Sequence, residues 1–267
     1  MQNYISSTQN SRVKEIIQLK EKSRIRKKKG EFVVEGQREI SLAMSGGYEI
    51  KSIYFYKNII SLEEVNSLIN EENSVQIFEI SKEVYEKVAY RETTEGVLAI
   101  LKTKENTLQN IQFKSKNPLI LIGEGIEKPG NIGALLRTAD ASNLDAVIIA
   151  NPKADFYNPN VIRSSVGCVF TNQLASGTTE EVISWLKENN IQINCAALTA
   201  SKPYHEIDFT GGTAIVVGTE ATGLTDEWLE NSTQNIIIPM QGKIDSMNVS
   251  VAAAIVIFEA KRQRNFK

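Results

Sequence analysis

The 267-residue sequence predicts an α/β chain built as two units, and three observations carry that prediction. Short strand patterns alternate with helical ones up to residue 102. A polar stretch without sustained periodicity follows at 103–117 and reads as a linker with a brief apolar anchor. Beyond it, strongly apolar runs recur between helical segments, the pattern of a parallel sheet covered by helices on both faces.

In the first unit the strand patterns fall at 31–35, 50–56, 75–80 and 97–102, so residues 1–103 read as a small α/β domain. Its front end is basic: Arg12, Lys14, Lys20, Lys22, Arg24, Arg26, Lys27, Lys28 and Lys29 stand against only Glu15 and Glu21 between residues 12 and 29. A solvated helix face accounts for part of such a run. Like charges at this density repel unless an anion neutralises them, and a phosphate backbone is the natural candidate.

With 104–117 as linker, residues 118–267 form the second domain, with buried strands expected at 119–123, 146–150, 191–198, 214–218 and 236–239. In such a sheet ligands bind beyond the carboxyl ends of the strands. The last helix, from Asn248 onward, is built of Val249, Val251, Ala252, Ala253, Ala254, Ile255, Val256 and Ile257, with no wide polar face before Glu259. It is expected to be buried on most sides, and its small side chains let another backbone approach closely. Asn248 or Ser246 suits its N-cap.

The formal net charge of −2 argues against a protein that coats nucleic acid through bulk charge. Cys168 and Cys195 lack metal-ligand or redox spacing and read as buried, reduced thiols. No metal cluster is expected. The single histidine, His205, lies in a polar stretch and reads as a surface residue. The chain opens polar and has no 18-residue apolar span, so the expectation is a soluble, cytoplasmic protein without a membrane partner.

Three loops of the second domain carry the chemistry. The first, GEGIEKPGNIGALLRTAD, lacks both the Lys-Ser/Thr of a phosphate loop and the glycine spacing of a dinucleotide site. A helix is expected to start near Asn131, with Arg137 on its exposed side. The second, VVGTEATGLTDEW, leaves a buried strand through Gly218, places Glu220 just past the strand end, and uses Gly223 for a turn at positive φ. The third, IPMQGKIDSMN, brings Ser246 and Asn248 before the last helix. Each loop alone fits a capped helix or a solvated turn; together Asn131, Arg137, Glu220, Ser246 and Asn248 make a polar constellation at strand ends.

In order and spacing these three loops resemble the motifs of the SpoU/TrmH-type RNA ribose 2'-O-methyltransferases of the SPOUT superfamily: Asn131 and Arg137 in NIGALLRTAD, Gly218, Thr219 and Glu220 with Gly223 and Leu224, and IPMQGKIDSMNVSVAAA. Met247 stands where the family often has Leu, a change of similar volume. The segments ISSTQNSRVKEIIQL and FVVEGQREI are similar to the small α/β RNA-binding domain, itself resembling ribosomal RNA-binding proteins, that often precedes this catalytic domain. The resemblance implies a trefoil-knotted parallel-sheet SPOUT domain and a homodimer through it, with the small-residue helix at the interface.

The implied reaction moves a methyl group from S-adenosyl-L-methionine to a ribose 2'-hydroxyl of structured RNA, with 23S ribosomal RNA preferred. A transfer RNA substrate and a non-catalytic RNA-binding or ribosome-assembly factor are the alternatives. By the same likeness Leu198, Thr199, Gly218, Thr219, Glu220, Ile238, Met240 and Met247 would bind the cofactor. The catalytic set would be Asn131, Arg137, Glu220, Ser246 and Asn248. The family assigns its arginine a part in deprotonating the hydroxyl, but a guanidinium stays protonated at neutral pH. Clamping the target phosphate and stabilising a developing alkoxide suits Arg137 better. Phosphate contacts are expected from Arg12, Lys14, Arg24, Arg26, Lys27, Lys28 and Lys29.

Overall fold

A computed structural model describes residues 3–69, 75–90, 95–199, 201–219, 222–243 and 246–266. The chain packs as two compact units, residues 1–104 with 155–171, and residues 105–154 with 172–267.

The first unit runs β1 (Asn3–Ile5), α1 (Ser11–Glu21), α2 (Ser23–Lys29), β2 (Glu31–Glu35), α3 (Gln37–Ser45), β3 (Ile50–Phe55), α4 (Leu62–Ser67), β4 (Gln76–Ile80), α5 (Lys82–Val88) and β5 (Val97–Lys102). Its five strands lie in the order β1-β4-β3-β5-β2, with β5 antiparallel to both neighbours and the other pairs parallel. Helix α1 starts where Asn10 accepts the Arg12 N–H at 2.9 Å, and it buries Val13, Ile16 and Leu19 on one stripe. That stripe packs with Val33, Tyr54, Phe78 and Leu98.

The second unit contributes β6 (Leu119–Glu124), α6 (Pro129–Ala141) and β7 (Ala146–Ala150) before the chain enters α7 (Pro159–Ser164), which packs within the first unit on β2. It resumes with β8 (Leu174–Gly177), α8 (Thr179–Glu188), β9 (Gln192–Ala196), β10 (Lys202–Pro203), β11 (Thr213–Val217), α9 (Asp226–Asn231), β12 (Gln234–Ile237) and α10 (Val249–Gln263). All seven strands are parallel, in the order β10-β12-β9-β11-β6-β7-β8. Strands β6, β7 and β11 are buried at every position, as expected of central parallel strands covered on both faces. Residues 105–117 pack on this unit: Leu108 joins its core and the Ser176 N–H donates to the Asn106 carbonyl at 3.0 Å.

Three sequence expectations shift. Helix α6 begins at Pro129, two residues before Asn131, because proline suits a first helical turn where its missing N–H goes unneeded. Helix α10, buried or half-buried along most of its length, leaves one apolar stripe open in the single chain: Val251 is 48% and Phe258 44% exposed. Cys195 is buried, whereas Cys168 is only half-buried; both are free thiols. Among the described residues no helix is long and apolar enough to cross a membrane, and no acidic, His or Cys group could hold a metal ion.

Candidate active site

Within the second unit the strand order turns about β6 and β11, and the loops after β9, β11 and β12 enclose a cavity of about 550 Å³ at their carboxyl ends. The described residues predicted to bind a cofactor, Leu198, Thr199, Gly218, Thr219, Ile238, Met240 and Met247, all line it, and so does Ser246. Glu220 lies outside the described residues. None of the described lining residues carries a charge. The sequence reading missed the apolar floor, to which α10 contributes Ala252 and Val256 and the loop after β11 contributes Leu224. Its signal was the small-residue helix itself, which had been read only as a packing surface.

The described ends of the loop after β11 are tied together. Thr219 and Gly223 exchange both backbone hydrogen bonds at 3.1 Å, and the Thr219 and Thr222 hydroxyls meet at 2.8 Å. Gly223 takes φ +68°, and a Cβ on Gly218 would collide with the Gly223 carbonyl group. Both glycines are therefore required by backbone geometry.

At the base of this loop a buried carboxylate goes unremarked in the sequence. Glu124, 4% exposed at the end of β6, accepts from the Thr225 N–H at 2.9 Å, the Thr225 hydroxyl at 2.8 Å and the Thr179 hydroxyl at 3.0 Å. It ties the exit of the cavity loop to the sheet and to the start of α8. Burial, with the Glu124 charge adding to it, pushes the Cys195 thiol up to about 12.

The first and third loops meet through their amides. Asn248 caps α10: its Oδ1 accepts the Ser250 N–H at 3.0 Å, while its Nδ2 donates to Asn131 Oδ1 at 3.2 Å. Its chain neighbours Met247 and Val249 line the cavity, so this bond stands at the rim. Helices α6 and α10 pack against each other behind it. Arg137 is exposed on α6, six residues beyond Asn131, a rise of about 9 Å. It is thus open to a substrate rather than spent in the core.

The predicted phosphate contacts divide. Lys14, Arg24, Lys27, Lys28 and Lys29 are exposed on α1 and α2, and Lys29 also pairs with Glu15. Arg12 is half-buried, with its guanidinium 4.3 Å above the Phe78 ring. Arg26 must be withdrawn from the set. It is 3% exposed, grips Asp155 through two bonds of 3.1 and 2.6 Å, and donates to the Leu19 and Lys20 carbonyls. A guanidinium so fully committed closes the end of α1 instead of facing solvent.

Residues 118–258 match the model of the SpoU rRNA Methylase family, and residues 10–99 match an MRM3-like substrate binding domain. The chain belongs to the SpoU rRNA methylase family. This SpoU chain is 29% identical over 257 residues to the Bacillus subtilis (strain 168) 23S rRNA (guanosine(2553)-2'-O)-methyltransferase RlmP, covering 96% of this chain and 98% of that one. It is similar to a solved RNA 2'-O ribose methyltransferase at 37% identity and TM-score 0.83, covering 98% of this chain and 99% of the other. It is also similar to the AdoMet-bound rRNA methyltransferase from Sinorhizobium meliloti, at 26% identity and TM-score 0.89, with 97% of each chain covered.

Proposed function

We propose that this SpoU-family chain transfers a methyl group from S-adenosylmethionine to a ribose 2'-hydroxyl of 23S ribosomal RNA. The observation that carries the reading is the cavity at the strand ends, uncharged among its described lining residues, with the Asn248–Asn131 bond at its rim. The cavity has the volume of a small-molecule site, and its described lining holds no cationic side chain to repel a sulfonium. When bound, the cofactor supplies an electrophilic methyl group. Leu198, Thr199, Gly218, Thr219, Ile238, Met240 and Met247 would hold it, apolar side chains against its body and backbone groups against its polar edge.

The remaining roles belong to polar groups of the three loops and of α6. Exposed Arg137 clamps the target phosphate and stabilises charge growing on the attacking oxygen. Asn131, Ser246 and Asn248 fix the geometry in which oxygen, methyl and sulfur align. Glu220, by its place in the motif, belongs with them. RNA phosphate is met by Lys14, Arg24, Lys27, Lys28 and Lys29 with Arg12 beside them, while RNA shape selects the target. The exposed Val251 and Phe258 on α10 suit a second copy, in keeping with the homodimer that the family resemblance implies. A ribosomal substrate is favoured over transfer RNA because the relatives that cover nearly the whole chain include RlmP, a 23S rRNA enzyme.

The test is transfer of tritiated methyl groups to ribosomal RNA from cells lacking the protein, paired with the melting temperature in S-adenosylmethionine. A rise in melting temperature and label in a 23S ribose are expected. Stabilisation without any label in RNA would instead leave a factor that binds the cofactor and does no chemistry.

A further inference from the structure

We propose that a second pocket, wholly within the first unit, reads a guanine base of the RNA; the ligand class rests on the RNA-methylating function above. The pocket holds about 260 Å³, just below the range of drug-sized sites and on the scale of one nucleobase. Its wall carries Tyr90, 44% exposed, with the Arg163 guanidinium 4.5 Å from the ring centroid. Aromatic rings and guanidinium planes are the surfaces on which unpaired bases stack.

The same wall carries Glu39, whose side chain is only 12% exposed. One of its oxygens, Oε1, accepts from Arg38 at 2.7 Å. The other, Oε2, stands against Gly36, where a Cβ would come within 2.7 Å. Gly36 also takes φ +102°, so a residue without a side chain leaves this carboxylate its place. The neighbouring carboxylates are already engaged. Glu35 accepts the Tyr90 N–H at 2.9 and 3.1 Å and pairs with Lys20 at 3.5 Å, and Glu95 accepts the Gln37 N–H.

An ionised carboxylate only accepts hydrogen bonds. Guanine sets two donors side by side on its Watson–Crick edge, N1–H and the 2-amino group, and so matches both oxygens of a carboxylate. In adenine, cytosine and uracil the donor on that edge stands beside at least one acceptor that a carboxylate repels. In the proposed complex the base stacks at Tyr90 and Arg163, and Glu39 accepts from its N1–H and 2-amino group.

The test titrates the full chain with GMP, IMP and AMP while saturating S-adenosylhomocysteine occupies the other cavity. The NMR signals of labelled tyrosine rings are followed, with Tyr90 assigned from Tyr90→Phe. GMP is expected to shift the Tyr90 signal saturably. IMP, which lacks the 2-amino group, is expected to bind about ten-fold more weakly, the effect of one hydrogen bond to a charged group. Glu39→Gln should reduce GMP to the affinity of IMP; if that variant does not fold, the GMP and IMP comparison on the unaltered chain decides alone. Equal binding of GMP and IMP, or no shift at Tyr90, overturns the proposal. Methyl transfer is read separately: RNA labelling without guanine preference defeats this pocket alone, whereas guanine preference without labelling defeats the methyltransferase reading and leaves the pocket standing.

Discussion

Asn248 does two jobs through two ends of one amide, and two substitutions separate them. Its Oδ1 caps α10 at 3.0 Å from the Ser250 N–H, and its Nδ2 reaches Asn131 at 3.2 Å. Alanine removes these bonds and, with them, the one from the Ser250 hydroxyl to Oδ1. Loss of an asparagine cap costs about 1 kcal/mol, which lowers the melting temperature by about 3 °C for a chain of this size. Loss of the cross-loop bond removes about 1 kcal/mol of positioning, roughly five-fold in the rate of methyl transfer. Serine caps a helix as well as asparagine but is too short to reach Asn131. Asn248→Ser is therefore expected to melt within about 1 °C of the unaltered chain while losing the same roughly five-fold in single-turnover transfer. Scanning fluorimetry and rapid-quench labelling read the two effects. Full activity in Asn248→Ser would refute the positioning role, and a melting loss equal to that of Asn248→Ala would refute the cap.

Three further outcomes are expected. Arg26→Ala, which strands Asp155 beside a vacated guanidinium site, should cost about 3 kcal/mol in urea unfolding, whereas Lys27→Ala with Lys28→Ala should leave stability unchanged and lower RNA affinity and its salt slope. Glu124→Ala should raise the KM for S-adenosylmethionine more than it lowers kcat, because the loop from Gly218 to Thr225 loses its anchor; an unchanged KM counts against that anchoring. Arg262 bonded to the Glu259 carboxylate holds it down to about 2 from its ordinary 4.5. A depressed acid stabilises the fold above the unfolded value and loses that contribution as pH falls from about 4.5 towards about 2, so Glu259→Gln should flatten this part of the acid-unfolding curve.

Much of the fold can be read from the chain because buried parallel strands have little choice of pattern. The strands at 31–35, 97–102 and 146–150 coincide with β2, β5 and β7, and most others differ only at their ends. Strand β8 escapes because LASG is short, half polar and at the sheet edge, and β10 is only two residues long. The cavity residues were named through the family resemblance, whereas the glycines at the end of β11 by themselves marked only Gly218 and Gly223. Arg26 and Glu124 were not legible, because their character depends on partners 129 and 101 residues away. In Arg26 a residue indistinguishable by sequence from Lys27 and Lys28 is turned inward, and only the placement of Asp155 decides which member of a basic run is structural.

The central claim is that an arginine outside the cofactor cavity acts on the RNA, and Arg137→Ala tests it most directly. Binding of S-adenosylmethionine by calorimetry and methyl transfer to 23S ribosomal RNA should be measured on the same preparation. The account predicts cofactor affinity within about two-fold of the unaltered chain, since Arg137 is exposed and absent from the cavity lining, and methyl transfer reduced to background. Transfer at a near-normal rate, or loss of cofactor binding along with activity, would contradict it.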